Sequence, residues 1–202
     1  MKYRYSKKII LFLALTALSA SYYNENTLKN IDFVEASITG DYPYLETEMK
    51  SGTGVNAPYG QQGEPTALML AAERGDVKMA EFLISSRANI NMKDNAGNTP
   101  LMYAARNGDA AIIRLMLKNG AQVNLDNNMG STALEIASWN GYTDVVKILL
   151  DKEARNGIEL ALGAASKYGH TDIVKMLLSA NAPVTMKDRE GFTALYHAVN
   201  NG

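Results

Sequence analysis

Side chains that commonly carry catalysis are scarce in this chain. The sequence has two histidines, His170 and His197, and no cysteine. Neither histidine lies in an H-E-x-x-H zinc motif, and the chain has no G-x-S-x-G nucleophile motif. Without cysteine, disulfide bonds and thiolate-bound zinc or iron–sulfur centres are excluded. We therefore predict that the protein is not an enzyme and has no catalytic residue, metal site or cofactor. Both histidines are expected to be structural or on the surface.

Some loops have the composition of ligand-binding loops but not their spacing. The segment "GTGVNAPYG" (52–60) is rich in glycine, yet it lacks the Lys-Ser/Thr pair and the following helix of a phosphate-binding loop. The segments "DNAGN" (94–98) and "DNNMG" (126–130) are polar, but they lack the acidic spacing of a calcium loop. Asn, Asp and Gly are also the residues that turns favour, so turns are the better interpretation of all these segments.

One pattern recurs along most of the chain, as the segments "GNTPLMYAARNGD" (97–109) and "GSTALEIASWNGY" (130–142) illustrate. Glycines mark it at intervals of 33 residues, with one interval of 28: Gly75, Gly108, Gly141, Gly169 and Gly202. A fixed period of this length is typical of a solenoid, in which each repeat buries its apolar face only by stacking on its neighbours.

The repeated positions have physical roles in a helix–loop–helix unit. Threonines stand where the first helix begins, because their hydroxyls can accept bonds from unpaired N–H groups: Thr66, Thr99, Thr132 and Thr193. Leucines occupy one core position of that helix: Leu68, Leu101, Leu134, Leu162 and Leu195. Small pairs such as Ala71–Ala72 allow neighbouring helices to approach closely, and the loop glycine permits a left-handed backbone. The second helix carries an apolar stripe, for example Ile112, Ile113, Met116 and Leu117.

Together these elements resemble the ankyrin repeat, in which a turn precedes a short helix, a tight loop and a longer helix. The resemblance covers about residues 28–202 and implies an all-α ankyrin-repeat solenoid whose repeats are joined by β-turn or hairpin fingers. It implies a degenerate N-terminal capping repeat, four repeats and a partial repeat: 28–60, 64–96, 97–129, 130–157, 158–190 and 191–202. It also implies a structural role for His170, because the family commonly carries histidine after the loop glycine.

The chain departs from the family pattern in three places. Five residues are missing between Leu150 and Leu162, so we expect the hairpin of repeat 130–157 to be shortened or absent. The last helix, from about Thr193, lacks a partner helix after it, which predicts either a fragment of a longer array or a frayed end. The histidine of the family's Thr-Pro-Leu-His segment is replaced in every repeat, so we expect its buried hydrogen bond to threonine to be lost. The replacements are Met69, Met102, Glu135, Gly163 and Tyr196.

The first 20 residues have the order of a secretory signal peptide: the basic segment "MKYRYSKK", an apolar run and small residues. The apolar run, 9–20, is shorter than the roughly 20 residues of a transmembrane helix. We expect cleavage after Ser19 or Ala20, then a polar linker at 21–30, and an exported protein that is periplasmic or secreted. The alternative is an uncleaved anchor in the inner membrane, because Leu18 is a poor residue three positions before a cleavage site.

The charge balance argues against a nucleic-acid partner. Without the first 20 residues the chain has 16 basic and 21 acidic side chains, whereas nucleic-acid binding needs a clustered basic face. We expect a monomeric, non-catalytic protein–protein interaction module with no small-molecule substrate, bound to a protein of unknown identity. Only residues 9–20 would contact a membrane, if they are not cleaved. The second hypothesis is a membrane-tethered structural or assembly factor.

The resemblance also locates the expected binding surface. In the ankyrin family the two residues before each loop glycine face a concave groove, beside the hairpin tips. The predicted partner-binding residues are Glu73, Arg74, Arg106, Asn107, Trp139, Asn140, Lys167 and Tyr168 in the groove, and Asn95, Asn98, Asn128 and Met129 at the tips. Trp139 is the only tryptophan, and Trp, Tyr and Arg are enriched at the energetic centres of interfaces. The alternative is that the Trp139 ring packs locally on neighbouring helices.

Overall fold

The computed structural model describes residues 25–51 and 54–201. Within these ranges the chain forms eleven α-helices and no β-strand. The helices are α1 Glu25–Thr39, α2 Tyr42–Ser51, α3 Ala67–Arg74, α4 Val77–Ser85, α5 Pro100–Asn107, α6 Ala110–Lys118, α7 Ala133–Trp139, α8 Thr143–Asp151, α9 Ile158–Lys167, α10 Thr171–Ser179 and α11 Ala194–Asn201. The predicted signal peptide and the alternative anchor at 9–20 lie outside the described residues. In the part that is described, no helix is both long enough and apolar enough to span a bilayer.

The helices stack in two layers around one core. In the first layer α1 packs on α3, α3 on α5, α5 on α7, α7 on α9 and α9 on α11. In the second layer α4 packs on α6, α6 on α8 and α8 on α10. Four of the repeated leucines lie between the layers and are at most 2% exposed: Leu68, Leu101, Leu134 and Leu162. The predicted all-α repeat solenoid is confirmed.

The predicted capping residues hold the starts of the short helices. Oγ1 of Thr66, Thr99 and Thr132 accepts a bond from the N–H three residues later, at 3.5, 3.4 and 3.3 Å. The second helices α4 and α6 begin after Asp76 and Asp109, whose carboxylates accept N–H groups at 3.0 and 2.8 Å. These bonds satisfy backbone donors that have no partner within the helix.

Two loop glycines are required for two independent reasons. Gly108 and Gly141 have φ angles of 79° and 77°, in the left-handed region that side chains with a β-carbon rarely adopt. A β-carbon on Gly108 would also lie 2.7 Å from the Tyr142 ring of the next repeat. The same atom on Gly141 would lie 2.6 Å from the His170 ring. The aromatic residue that follows a loop glycine therefore packs over the loop glycine of the preceding repeat.

The N-terminal helix pair differs from the prediction at its start. Helix α1 begins at Glu25, so the prediction of a linker at 21–30 is wrong for residues 25–30. Phe33, Val34 and Leu45 are completely buried against the following helix pair. A helix nucleated by this burial extends towards its N-terminus through polar residues, because each further residue adds a backbone hydrogen bond at little cost. Because residues 25–30 are polar and lack an apolar period, the sequence does not indicate this extension.

The connections between helix pairs are fingers, with one exception. The 126–132 finger and the 187–193 finger are each closed by an antiparallel bridge between their end residues. In the 93–99 finger the N–H of Asp94 donates to the carbonyl of Asn98 at 3.0 Å. Between α8 and α9 only residues 152–157 connect the helices, and no bridge is described there. This is the shortened connection that the spacing predicted, and it leaves a gap in the row of fingers.

The last helix shows where one core prediction is wrong. Leu195 occupies the position that is buried in the four preceding repeats, yet it is 69% exposed. Helix α11 packs on α9 on one side, and no later helix in the described part of the chain covers its other side. A core position in a solenoid is buried only when repeats stack on both sides of it.

Candidate binding surface

The residues before the loop glycines are largely exposed, as the resemblance implied. Lys167 is half-buried, and the other seven predicted groove residues are exposed: Glu73, Arg74, Arg106, Asn107, Trp139, Asn140 and Tyr168. These residues lie at the C-terminal ends of the short helices α3, α5, α7 and α9. Because the four helices stack, the residues form one row. This row forms a continuous surface of mixed charge with aromatic rings at its centre.

Two of these rings contact each other. The centroids of Trp139 and Tyr168 are 4.8 Å apart, with planes tilted by 37°, and the two residues are 48% and 43% exposed. Nε2 of His170 donates to the carbonyl of Trp139 at 3.1 Å, and its ring lies 6.5 Å from that of Tyr168. His170 therefore has the structural role implied by the resemblance. The Trp139 ring does pack locally, but half of its surface remains open to a partner.

The two cations beside Trp139 have acidic partners within the chain. Nη1 of Arg106 lies 3.5 Å from Oε1 of Glu73, and its guanidinium carbon lies 5.1 Å from the Tyr103 ring centroid. Lys167 forms an ion pair with Glu190 of the 187–193 finger, and this hydrogen bond raises the pKa of Lys167. Both cations are thus partly neutralised, and Arg106 is held more loosely than Lys167.

Asparagines join the tips of the 93–99 and 126–132 fingers. Nδ2 of Asn128 donates to the carbonyl of Asn95 at 2.9 Å, and both residues are exposed. Asn98, predicted as a partner-binding residue, is 8% exposed and accepts a bond from Nδ2 of Asn127 at 2.8 Å. That prediction is corrected, because stacking of the two fingers covers its amide. Met129 is 71% exposed and remains accessible.

The sequence did not reveal the side chains that link fingers to helices. The Tyr103 hydroxyl donates to Asp94 at 2.8 Å, and burial followed by this bond raises the pKa of Tyr103. His197, which is 6% exposed, bonds Asp188 at 2.6 Å through Nε2. Burial acts to raise the pKa of Asp188, but the bonds from His197 and from two N–H groups outweigh it and lower the pKa. In these two repeats a side chain of the short helix therefore still bonds to the finger before it. That side chain stands one residue after the position of the family's histidine.

The most unusual contact joins residues more than fifty positions apart. Arg189, in the 187–193 finger, makes a two-point ion pair with Glu135 of α7, with distances of 2.5 Å (Nη1–Oε1) and 3.0 Å (Nη2–Oε2). The same guanidinium donates to the Met129 carbonyl and to Oγ of Ser131, both at 3.1 Å. The Glu135 side chain is 6% exposed and that of Arg189 is 43% exposed. The hydrogen bonds that Arg189 donates to Glu135 raise the pKa of Arg189.

The short connection explains how Arg189 reaches so far. Glu135 belongs to the repeat that follows the 126–132 finger, and Arg189 belongs to a finger two repeats later. A full finger at 152–157 would stand between them, but the chain there runs directly from α8 to α9. The guanidinium therefore crosses the gap and neutralises a buried carboxylate at a position that holds methionine in two other repeats. We call this contact the Arg189–Glu135 clip.

A cavity of about 450 Å³ lies beside the clip. Its walls are formed by residues of α7, the 126–132 finger, α5 and the clip: Arg106, Met129, Glu135, Ile136, Trp139 and Arg189 among them. The gap in the row of fingers thus opens onto the exposed face of Trp139. Among the described residues, no group of three His, Asp or Glu side chains is arranged to hold a metal ion.

Comparisons with known proteins agree with this architecture. A family model described as ankyrin repeats (3 copies) matches residues 68–160, and one described as ankyrin repeats (many copies) matches residues 162–202. Over 52 residues the chain is 40% identical to ankyrin repeat domain-containing protein 17 of Mus musculus and of Homo sapiens. It has the same identity over the same length to ankyrin repeat and KH domain-containing protein 1 of Homo sapiens. Each match covers 26% of this chain and 2% of the relative.

Proposed function

The chain belongs to the ankyrin repeat family, and from this premise we propose that it is a non-catalytic module that binds a partner protein through its concave face. Ankyrin repeats generally act as protein–protein interaction modules. The proposed contact surface runs along the ends of α3, α5, α7 and α9, with Trp139 at its centre. The exposed pair of Trp139 and Tyr168 is the observation that carries the proposal.

The aromatic pair has the properties of an interface centre. Large aromatic side chains that become fully buried on binding contribute more than most interface residues. Trp139 is already held by the Tyr168 ring at 4.8 Å, and His170 fixes the backbone at the Trp139 carbonyl. A ring that is ordered before binding loses little conformational entropy when a partner covers it. The half-exposed surface of Trp139 can therefore contribute most of its burial energy to affinity.

The charges around Trp139 favour a partner with carboxylates near its contact point. Arg106 and Lys167 lie on either side of the ring along the row, and both already interact with acidic groups of the chain. Nη1 of Arg106 lies 3.5 Å from Oε1 of Glu73, which is longer than a normal hydrogen bond. A partner carboxylate could therefore compete with Glu73 for Arg106. Such exposed pairs act mainly on the association rate and weaken in salt.

The experiment that tests this function is affinity capture with the full chain and two variants. Trp139→Ala should reduce captured partner strongly, because truncating an interface tryptophan costs about 2 kcal/mol or more, roughly a 30-fold loss of affinity. Tyr196→Ala is the matched control, since Tyr196 is 47% exposed and also stacks on a neighbouring ring, that of Phe192, but lies outside the row. A partner must bind the wild type and the control alike.

Two results would contradict the proposal. If the Trp139→Ala chain keeps its thermal stability and captures the same proteins in the same amounts, the concave row around Trp139 is not the binding face. If no protein is captured specifically by the wild type, a binding role through this surface is unsupported. Loss of stability in the variant would instead place the ring in the core.

We also propose that the protein is exported, on the basis of the order of the first 20 residues. The competing hypothesis, a membrane-tethered assembly factor, rests on the same apolar run at 9–20. The intact mass of the chain after cell fractionation distinguishes the two. A soluble chain that has lost about 20 residues supports export, whereas a full-length chain in the membrane fraction supports the tether.

A further inference from the structure

The cavity beside the clip exists because this chain lacks one finger. In the other connections a finger lies between successive short helices, whereas residues 152–157 leave the surface of α7 open. The open surface includes Trp139 and Ile136, and Met129 borders it from the neighbouring finger. These three side chains give the cavity an apolar floor and one apolar wall.

The charged groups of the cavity leave one cation without strong compensation. Arg189 and Glu135 neutralise each other through a two-point ion pair, so they contribute little net charge. Arg106 also lines the cavity, and its contact with Glu73 is a single one at 3.5 Å between half-exposed side chains. A ligand that fills the apolar part would therefore find one positive group at the rim.

The size of the cavity limits what can enter. Pockets that hold small ligands have volumes of about 300–1,000 Å³, and a volume of about 450 Å³ lies in the lower half of that range. This volume suits one large side chain with its flanking backbone better than an entire helix, since a helix with its side chains is about 10–12 Å in diameter.

We propose that this cavity receives an anchor of the partner protein: one aromatic or long aliphatic side chain with a carboxylate residue next to it in an extended segment. The anchor would pack on Trp139, Ile136 and Met129, and the adjacent carboxylate would pair with Arg106. This inference rests on the proposed function, because it names the chemistry that the concave face recognises. The clip would form the rigid wall that keeps the cavity open.

A random 12-residue peptide library, selected on the full chain and counter-selected on Trp139→Ala, tests the anchor directly. Enriched peptides should share a Phe, Trp, Leu or Met beside Asp or Glu. In a purified peptide, changing the anchor to Ala should weaken binding about 30-fold. Changing the carboxylate to the amide should weaken it about 3- to 5-fold, as for an exposed ion pair.

A charge reversal supplies the sharper readout. Arg106→Glu should reduce affinity for the acidic peptide and raise it for the version in which Lys replaces the carboxylate. Arg114→Glu is the matched control, because Arg114 is an exposed arginine of α6 that lies outside the row and does not line the cavity. Met129→Asp should weaken the acidic peptide more than the Lys version, since it removes an apolar wall and adds a negative charge.

The outcomes separate this inference from the proposed function. Peptides that need Trp139 but respond alike to Arg106→Glu and Arg114→Glu, or that carry no adjacent carboxylate, overturn the anchor and leave the concave face standing. A library that yields no peptide dependent on Trp139 also overturns the anchor. The capture experiment with Trp139→Ala then decides the proposed function on its own.

Discussion

Removing one half of the Arg189–Glu135 clip should have a very different effect from removing the other. In Arg189→Met the nearly buried Glu135 carboxylate loses its cation, and breaking a fully buried ion pair in this way costs about 3–5 kcal/mol. Arg189 is 43% exposed, so water can partly replace it, and we expect a loss of about 2 kcal/mol.

The opposite substitution, Glu135→Met, should change the free energy of unfolding by less than about 1 kcal/mol. It removes the buried charge together with its desolvation cost, and Arg189 can turn towards water. Methionine suits this position, because Met69 and Met102 are its equivalents in other repeats and are 0% and 1% exposed. The double variant should resemble Glu135→Met alone, so the coupling energy should equal in size the loss in Arg189→Met, about 2 kcal/mol.

Urea denaturation followed by circular dichroism measures all four chains, with Arg74→Met as a control for the loss of an exposed arginine. If Arg189→Met is as stable as the wild type and the control, the ion pair does not stabilise the fold. If Glu135→Met costs as much as Arg189→Met, the carboxylate stabilises the fold by itself. Additive effects in the double variant would show that the two side chains do not interact.

Three further predictions concern stability. Leu134→Ala should cost about 2–5 kcal/mol by thermal unfolding, whereas Leu195→Ala, at the same repeat position but 69% exposed, should cost less than about 1 kcal/mol; equal losses would show that the burial is misplaced. Ser138 has a buried hydroxyl without a described hydrogen-bond partner, so Ser138→Ala should be neutral or stabilise by up to about 1 kcal/mol, while Ser166→Ala, at the equivalent position of the next repeat, should not stabilise, because Ser166 has an interaction. Because the folded-state pKa of Asp188 is lowered from its ordinary value of 3.8, its contribution is present above that value and is lost as the pH falls through the lowered pKa. Asp188→Asn should flatten this part of the acid unfolding curve, and an unchanged curve would contradict the assignment.

Much of the fold follows from local sequence signals. Threonine caps, loop glycines and apolar stripes act within one helix or between adjacent helices, so their roles can be predicted from spacing alone. The missing finger was predictable for the same reason, since it is a difference in length between Leu150 and Leu162. The position of Trp139 at the end of α7 also follows from its distance to the loop glycine.

The features that the sequence did not predict depend on contacts between residues that are far apart in the chain and meet only when the repeats stack. The Arg189–Glu135 clip joins a finger to a helix side chain that it reaches because the finger between them is absent, so no local pattern indicates it. Asn98 belongs to an exposed turn in its own repeat, but the next finger covers it. The unexpected Glu135, at a buried position, was the one signal that could have prompted a search for a cation, because buried carboxylates require a partner.

Binding of a partner protein at Trp139 can be tested with a single fluorine label. Trp139 is the only tryptophan, so the chain made with 5-fluorotryptophan gives one ¹⁹F resonance. When the captured partner is added, we expect this resonance to move and its sensitivity to exchange of H₂O for D₂O to fall, because the half-exposed ring becomes covered. If the partner forms a complex of increased mass while the resonance keeps its position and solvent sensitivity, the partner binds elsewhere and Trp139 is not part of the binding site.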